Sequence, residues 1–523
     1  MLRVLSVRMA ALLAVAGGGL HALALSPWWA ALASWMPAVG QSVALAGLLA
    51  LLAGVKRPGQ AALVAWLYGA AWLVGATGWM YVSLHRYGGL PAWVAGGAVG
   101  LLCLALAGYV AALGWLWARL RLGLWWMDAI LFAALWLLCE LARALILTGF
   151  PWGASGYVLL DTPLMALIPW VGVYGVGAVW ALLVALLAFA ALSARTVTKW
   201  VTLCCALMIL GGLQAAGTGH FTRPHRSPVT VSLLQSNVPQ DEKFVMERQV
   251  GMLLWHAQTL LSAPGQLVVA PETAIPLLPS QLPEGYWSQL SAGFNAPGRH
   301  ALIGVPLGDF QQGYTNSVVG LSAAAGRLAT GQYRYDKYHL VPFGEFIPDG
   351  FHWFVRMMNM PLGDFSRGHL GAPSFSVEGQ RVAPTICYED LFGEEIARRF
   401  LQPDAAPTML ANVSNLAWFG ESVAIHQHLQ IARMRSLEFQ VPTIRATNTG
   451  ATVVIDHAGA VAAHLAPNTR GVLTATVQGM AGVTPFAWWA ARFGLWPLVA
   501  ISMSFMGVAM WMRRRAVSNG SSI

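Results

Sequence analysis

Residues 382–392 read VAPTICYEDLF, and this short stretch predicts the fold of the region around it. The apolar run 382–386 predicts a buried strand, and the acidic residues after Tyr388 are typical of the start of a helix. Cys387 therefore lies at a turn between a strand and a helix. There, the amide groups of a helix N-terminus favour a thiolate and can donate hydrogen bonds to an oxyanion. The alternative interpretation is an inert thiol that is buried as a small hydrophobic side chain.

The same alternation of strands and helices extends through residues 218–484, and it predicts a layered α/β domain. Two further segments predict a hairpin, 314–321 and 327–335, around Ala325-Gly326. Buried strands are predicted at residues 229–234, 267–270, 301–305, 382–386, 408–413 and 441–446. Amphipathic helices are predicted at residues 243–261, 394–400 and 425–439.

The composition of the whole chain is typical of an integral membrane protein. Of the 523 residues, 57% are hydrophobic and only 10% are charged, whereas soluble proteins contain about a quarter charged residues. Residues 1–217 contain seven apolar runs long enough to cross a bilayer, and residues 485–523 contain an eighth at 493–512. The second run is long and includes Pro37. The seven runs are 7–25, 27–54, 60–84, 90–118, 124–148, 164–194 and 198–216.

The net charge of +9 indicates membrane topology. If the N-terminus is cytoplasmic, nearly all basic residues of the short loops lie at cytoplasmic span ends, and only Arg86 lies on the opposite side. Both termini are then cytoplasmic, and residues 218–484 lie outside the cytoplasm. The remaining charges nearly balance, so the excess does not indicate nucleic-acid binding. The cytoplasmic ends contain Arg3, Arg8, Lys56, Arg57, Arg119, Arg121, Arg195, Lys199, Arg513, Arg514 and Arg515.

Cys387 is the only cysteine of residues 218–484 and cannot form a disulfide within that domain. Glu272 and Lys337 also follow predicted strands. Taken singly, each is interpreted as a surface charge or a helix cap. Together with a thiol, a carboxylate can act as the base and a lysine can stabilise an oxyanion, so the three supply the parts of nucleophilic catalysis.

These residues carry a family resemblance. The segments APETAIP with Glu272, YDKYHLVPFGE with Lys337 and Glu345, and ICYED with Cys387 resemble the Glu-Lys-Cys triad of the nitrilase, or carbon–nitrogen hydrolase, superfamily. The seven-span front and single-span tail resemble its membrane branch, the apolipoprotein N-acyltransferases. That branch is also similar in the segments GFPWGASGY (149–157), SNLAWFGES (414–422), QHLQIARMRSLE (427–438), RATNTGATVVID (445–456) and TPFAWWAARFG (484–494).

The resemblance implies a polytopic helical membrane bundle joined to a nitrilase-like αββα sandwich. It implies Cys387 as nucleophile, Glu272 as general base and Lys337 as oxyanion stabiliser. Glu345 and Glu389 would orient Lys337 or share the base work, and Tyr388 would offer a backbone N–H. The side chains that we assign to substrate binding are Phe244, Trp418, Phe351, Phe354 and Met358.

The implied reaction moves the sn-1 acyl chain of a phospholipid such as phosphatidylethanolamine, through a cysteine thioester, to the α-amine of a diacylglyceryl-cysteine at an apolipoprotein N-terminus. We expect a monomer in the bacterial inner membrane with a periplasmic catalytic domain, and neither a cofactor nor a metal. Apolar segments such as 351–360 are interpreted either as core or as a membrane-facing lid that admits acyl chains.

Two positions depart from the family pattern. Phe244 stands where a tryptophan is frequent, and Leu416 stands where an aspartate commonly precedes Ala-Trp-Phe-Gly. These departures motivate one alternative, a weakly active paralogue. A second alternative is a membrane-anchored amidase, in which the same triad transfers the acyl group to water. A transporter would need polar or broken helices that converge at the midplane, and Glu140 with Arg143 are too few for that.

Overall fold

In a computed structural model of the protein, the described residues are 6–193, 195–243, 245–309, 311, 313–323, 333–348, 350–351, 353 and 364–518. The chain divides into two compact units. The first unit takes the chain up to Met80, then Trp93–Gly219, then the chain from Phe493 onward. The second unit takes Tyr81–Ala92 and His220–Arg492.

Within the described residues, seven helices are long and apolar enough to cross a membrane, which confirms the seven predicted runs. The second run, 27–54, is divided. A short helix, Pro27–Leu32, ends at the extended residue Ala33, and a new helix begins at Met36. Pro37 lies in the first turn of this new helix, where a proline is tolerated because that N–H has no helical partner. The seven helices are Val7–Ala24, Met36–Gly54, Pro58–Thr77, Ala92–Leu120, Trp125–Thr148, Pro163–Leu192 and Thr196–Ala216.

The eighth predicted span corresponds to the second member of a bent helix pair. Pro485–Phe493 and Trp496–Arg515 meet at an angle of 86°. The first helix of the pair groups with the second unit as far as Arg492. Its residues Phe486, Ala487, Ala490 and Ala491 are buried in a cluster with residues of that unit. The first helix ends at Phe493 because Gly494 has a left-handed φ of 57°, which a helix cannot continue through.

The strands of the second unit form two six-stranded sheets. The described strands are β1 (Thr222–Pro224), β2 (Val229–Gln235), β3 (Leu267–Val269), β4 (His300–Asp309), β5 (Gly313–Ser322), β6 (Tyr333–Asp336), β7 (Phe375–Val377), β8 (Gln380–Ile386), β9 (Met409–Ser414), β10 (Thr443–Thr447), β11 (Val453–Ile455), β12 (Val461–His464), β13 (Gly471–Val477) and β14 (Met480–Gly482). The first sheet has the order β13-β2-β3-β4-β5-β6, and the second has the order β12-β11-β10-β9-β8-β7.

The two sheets pack face to face, and residues of both form one buried cluster between them. Alternate residues of a strand point to opposite faces of its sheet, so neighbouring residues enter different clusters. Leu267 and Val269 enter the cluster between the sheets, whereas Val268 enters a cluster with residues of the helices Met246–Ser262 and Tyr286–Ala292. On the second sheet, Ala383 and Leu410 pack in a cluster with residues of the helices Gly393–Ala397, Ala424–Phe439 and Pro485–Phe493. The four layers are therefore helices, sheet, sheet and helices, which confirms the αββα sandwich.

The predicted hairpin is present as the antiparallel pair β5 and β6, in which Ser317 lies opposite Asp336 and Gly320 opposite Tyr333. Its turn at Ala325-Gly326 lies outside the described residues. The sequence that follows Cys387 forms a single 3₁₀ turn, Cys387–Leu391, before the helix Gly393–Ala397 begins.

The main block of the second unit extends from β1 to β14, residues 222–482, and these first and last strands pair with each other. β1 and β14 are antiparallel, with Thr222 opposite Gly482 and Pro224 opposite Met480. His225 extends this contact by donating a backbone hydrogen bond to the carbonyl of Gly479. The two ends of the block therefore leave it side by side.

Candidate active site

The three residues proposed as a triad all follow strand ends, as their sequence positions predict. Glu272 lies three residues beyond β3, Lys337 directly follows β6, and Cys387 directly follows β8. β3 and β6 belong to one sheet and β8 to the other. The sandwich therefore brings a carboxylate and an ammonium group from one sheet toward a thiol from the other.

Two carboxylates hold Lys337, whose side chain is only 1% exposed. Its Nζ lies 2.8 Å from Oε2 of Glu345 and 3.5 Å from Oε1 of Glu272. Burial alone would lower the pKa of Lys337, but the charges of Glu345 and Glu272 outweigh it and hold this pKa above its ordinary value. Lys337 is therefore a permanently charged group, which suits the stabilisation of an oxyanion.

Asn316 of β5 joins the two carboxylates, and sequence reasoning missed it. Its Nδ2 donates to Oε1 of Glu272 and to Oε1 of Glu345, each at 2.8 Å. The backbone carbonyl of Asn316 accepts the backbone N–H of Lys337 at 2.8 Å. Asn316 thus positions both carboxylates through its side chain and the lysine through its main chain. Asn316 lies between two other polar residues, Thr315 and Ser317, so no local signal in the sequence distinguishes it.

The other oxygen of Glu272 is fixed by the second sheet. The backbone N–H of Asn415, which follows β9, donates to Oε2 of Glu272 at 2.9 Å. The side chain of Asn415 in turn donates to Gln240 and accepts from Asn448, at 2.8 and 2.9 Å. Both oxygens of the carboxylate are therefore engaged, and its orientation is set before any substrate binds.

Cys387 has a left-handed backbone, with φ of 51°, which is strained for a residue with a side chain. Burial raises the pKa of its thiol above the ordinary value, and the charge of Glu272 adds to this rise, while Lys337 acts in the opposite direction. The resting group is accordingly a thiol. A nucleophile in this state needs a base at the moment of attack, and Glu272 is the carboxylate whose charge acts on it most strongly.

Glu389 binds backbone amides at the two strand ends that carry Lys337 and Cys387. Its Oε1 accepts the N–H of Tyr338 at 2.7 Å, and its Oε2 accepts the N–H of Ile386 at 2.7 Å. The hydroxyl of Tyr335 donates to the same carboxylate at 2.8 Å. These contacts of Glu389 are with main-chain and tyrosine donors, whereas Glu345 contacts the lysine directly. The aromatic ring of Tyr388 packs beside those of His339 and Phe392.

Lys243 is a second buried lysine at this site, and sequence reasoning missed it as well. Its side chain donates from Nζ to the backbone carbonyl of Glu272 at 3.1 Å. Burial lowers the pKa of Lys243 to about 8, although the charge of Glu272 opposes this shift. The sequence offered one indication, the small number of lysines, because Lys243 and Lys337 are the only lysines in residues 218–484.

Two of the five residues assigned to substrate binding are described. The ring of Trp418 lies 6.0 Å from that of Tyr87, and Phe351 is exposed with its ring 5.3 Å from Phe343. Leu416, the apolar residue at a position where the family pattern has an aspartate, is fully buried. The remaining assignments, Phe244, Phe354 and Met358, lie outside the described residues, as does most of the segment 351–360.

Known protein families match both units. Residues 17–187 match the apolipoprotein N-acyltransferase N-terminal domain, and residues 230–486 match the carbon-nitrogen hydrolase family. Among solved structures, a carbon-nitrogen hydrolase from Helicobacter pylori is 18% identical and covers 53% of this chain and 95% of its own, with a TM-score of 0.35. An amidase from Nesterenkonia is 16% identical over 50% of this chain and 94% of its own, also with a TM-score of 0.35.

The two family matches, together with the seven apolar helices, define a membrane protein with a carbon–nitrogen hydrolase domain. Similar sequences identify a particular family within this class. The apolipoprotein N-acyltransferase of Verminephrobacter eiseniae is 47% identical over 90% of this chain and 89% of its own length. That of Ralstonia nicotianae is 45% identical over 98% and 95%. The chain belongs to the apolipoprotein N-acyltransferase family, and it is an acyltransferase.

Proposed function

We propose that this protein transfers the sn-1 acyl chain of a phospholipid to the α-amine of the diacylglyceryl-cysteine at an apolipoprotein N-terminus. The observation that carries the proposal is the buried cluster of Glu272, Asn316, Lys337 and Glu345, whose charges act on the thiol of Cys387. Such a cluster combines a base, a fixed cation and a nucleophile. The apolar helices and the names of the relatives support a lipid as acyl donor.

In the first half-reaction Glu272 takes the thiol proton as the sulfur of Cys387 attacks the ester carbonyl carbon. A carbon–sulfur bond forms, and the negative charge on the carbonyl oxygen faces the ammonium group of Lys337. When the intermediate collapses, the carbon–oxygen bond breaks, and Glu272 returns its proton to the departing lysophospholipid. Glu345 keeps Lys337 charged and in place, because it contacts the ammonium at 2.8 Å.

In the second half-reaction the acceptor amine attacks the thioester. A carbon–nitrogen bond forms and the carbon–sulfur bond breaks. Glu272 takes the proton that the amine loses and returns it to the sulfur of Cys387, so the thiol is restored. Because a thioester is an activated acyl group, the transfer to an amine needs no nucleotide. We assign no cofactor or metal to the reaction.

We further propose that the domain of residues 218–484 is periplasmic, in a bacterial inner membrane, between the spans of residues 1–217 and 485–523, with both termini cytoplasmic. The basic residues at the predicted cytoplasmic span ends support this orientation. A phosphatidylethanolamine-like donor would then reach the site from the bilayer. We propose that Trp418 and Phe351 contact the acyl chains, and that Phe244, Phe354 and Met358 do the same.

The test uses the full-length protein in vesicles that contain phosphatidylethanolamine with a labelled sn-1 acyl chain. We expect a hydroxylamine-sensitive adduct on the tryptic peptide 382–398, in which Cys387 is the only cysteine. Addition of a diacylglyceryl-cysteine peptide should move the label to its amine. Cys387→Ala should abolish both events. The matched control, Cys204→Ala with Cys205→Ala, alters two exposed thiols and should change neither.

Two results would contradict the proposal. Acylation of the peptide amine by the Cys387→Ala protein would exclude the thioester route. Release of free fatty acid at the same rate with and without the acceptor peptide would favour an amidase-like hydrolase instead.

A further inference from the structure

The backbone carbonyl of Cys387 is held by a histidine that the triad does not use. His428 lies on the helix Ala424–Phe439 and is fully buried. Its Nε2 lies 3.2 Å from the carbonyl oxygen of Cys387. Because Cys387 has a left-handed φ of 51°, its peptide group is in a conformation that its surroundings must maintain. His428 is the side chain that contacts this peptide group from the neighbouring helix.

Arg445 determines which nitrogen of His428 carries the hydrogen. Arg445 lies on β10 and is also fully buried. Its NH2 group is 2.6 Å from Nδ1 of His428, and its NH1 group donates to the backbone carbonyl of His428 at 2.9 Å. A guanidinium group can only donate, so Nδ1 must accept. The hydrogen of the neutral ring therefore resides on Nε2, which donates it to the carbonyl of Cys387.

The imidazole ring is held in its neutral form. Burial lowers the pKa of His428 well below its ordinary value, and the charge of Arg445 lowers it further. The guanidinium itself is balanced by Asp390, whose charge supports the charged form of Arg445. Asp390 also accepts a hydrogen bond from Thr385 of β8 at 3.0 Å. The helix, β10 and the turn after Cys387 are thereby joined around one peptide group.

We infer that His428, fixed in one tautomer by Arg445, is a positioning residue for the acyl transfer. A peptide group is planar and trans, so its carbonyl and its N–H point in opposite directions. By binding the carbonyl of Cys387, His428 fixes the direction of the N–H of Tyr388. This N–H adjoins the carbon–sulfur bond that forms in the reaction, and the inference rests on the proposed function in that respect. A misdirected N–H would weaken stabilisation of the oxyanion but leave the thiol in place.

The alternative is a histidine that only fills the core. Two reactions of the same thiol distinguish these roles. Acylation by phospholipid passes through an oxyanion, whereas alkylation by iodoacetamide displaces iodide and forms none. A positioning residue should affect the first reaction and spare the second. A residue that only supports the fold should affect both equally.

The experiment compares His428→Leu and His428→Gln with the wild-type full-length protein in phosphatidylethanolamine vesicles. Adducts are quantified on the peptide 382–398 by mass spectrometry. We expect His428→Leu to lower the rate of acyl-enzyme formation about 10- to 100-fold, with an unchanged KM and an unchanged rate of alkylation. This loss is smaller than the roughly 100- to 1,000-fold cost of a removed oxyanion donor, because the N–H is misdirected and not removed. Glutamine can donate to the carbonyl of Cys387 and accept from Arg445, so His428→Gln should recover most of the acylation rate.

Acylation of His428→Leu at the wild-type rate would overturn the inference. A parallel loss of acylation and alkylation in His428→Leu, without recovery in His428→Gln, would also overturn it, because the residue would then be structural only. Failure of the wild-type protein to form any acyl adduct would refute the proposed function itself, and this outcome is seen before any variant is compared.

Discussion

Replacement of Lys243 by methionine should stabilise the second unit, which we call the catalytic unit because it contains the proposed site, and should lower the reactivity of the thiol of Cys387. Burial lowers the pKa of Lys243 from 10.5 to about 8. When a group binds its proton less tightly in the folded state than in the unfolded state, the folded state is destabilised at every pH at which the group is protonated in both states. Below pH 8 the buried charge therefore costs about 3 kcal/mol, since each pKa unit corresponds to about 1.4 kcal/mol. The cost disappears gradually as the pH rises from 8 to 10.5.

Methionine has a similar length and no charge, so Lys243→Met removes this cost. It also removes the hydrogen bond to the carbonyl of Glu272, which is worth about 1 kcal/mol net. The expected gain at pH 7 is about 2 kcal/mol, or a rise in Tm of about 5 °C for a domain of this size. The thiol of Cys387 loses a nearby cation, so its alkylation at pH 7 should slow about tenfold for each unit by which its pKa rises.

The assay is thermal unfolding of the full-length protein in detergent between pH 6 and 10.5, followed by tryptophan fluorescence, together with iodoacetamide labelling of the peptide 382–398. The matched control is Lys56→Met, which changes an exposed lysine outside the catalytic unit and should leave both measurements unchanged. The reasoning is refuted if Lys243→Met unfolds below the wild-type temperature at pH 7. It is equally refuted if the variant gains stability above pH 8 as steeply as the wild type.

Three further predictions concern residues around the same site. Asn316→Ala should lower acyl-enzyme formation at least about tenfold, because it removes the donor shared by both site carboxylates; Thr315→Val, which loses buried hydrogen bonds on the other face of β5, should retain the rate. Glu389→Gln should lower both Tm and acylation, because its amide would place a donor against backbone donors; an unchanged acylation rate would show that this carboxylate does not position the strand ends. Burial lowers the pKa of His256 to about 4, so stability should fall by up to about 3 kcal/mol as the pH drops from 6.5 to 4. His256→Asn keeps a donor for the carbonyl of Met252 and should unfold with a Tm less sensitive to pH in that range; equal sensitivity would contradict this assignment.

The fold was predictable where local pattern and packing agree. The strands 267–270 and 382–386 are apolar, so their approximate extent could be inferred from composition. Glu272 and Cys387 follow them closely in sequence, and this position made them candidates for the site. Pattern alone failed where a helix is interrupted without a change in composition. The run 27–54 is predominantly apolar on both sides of the break, and residues 33–35 separate its two helices.

The supporting groups of the site were not predictable because their roles arise from contacts between distant segments. Asn316 is separated by 44 residues from Glu272, which it binds. Lys243 follows a strand by several residues and has no distinctive local setting. His428 lies within the segment 427–438 that resembles the family, and nothing in the sequence of its helix indicates that it binds the carbonyl of Cys387.

The pairing of β1 with β14 bears on how such a protein could have arisen. Because the main block of the catalytic unit begins and ends at the same place, it can be inserted into another chain by opening a single connection. A gene for a free-standing sandwich could thus have been placed between two membrane-segment coding regions without any change to its strand order. The antiparallel pair would then mark the two joints of such an insertion, which would give a sandwich domain access to substrates that reside in a bilayer.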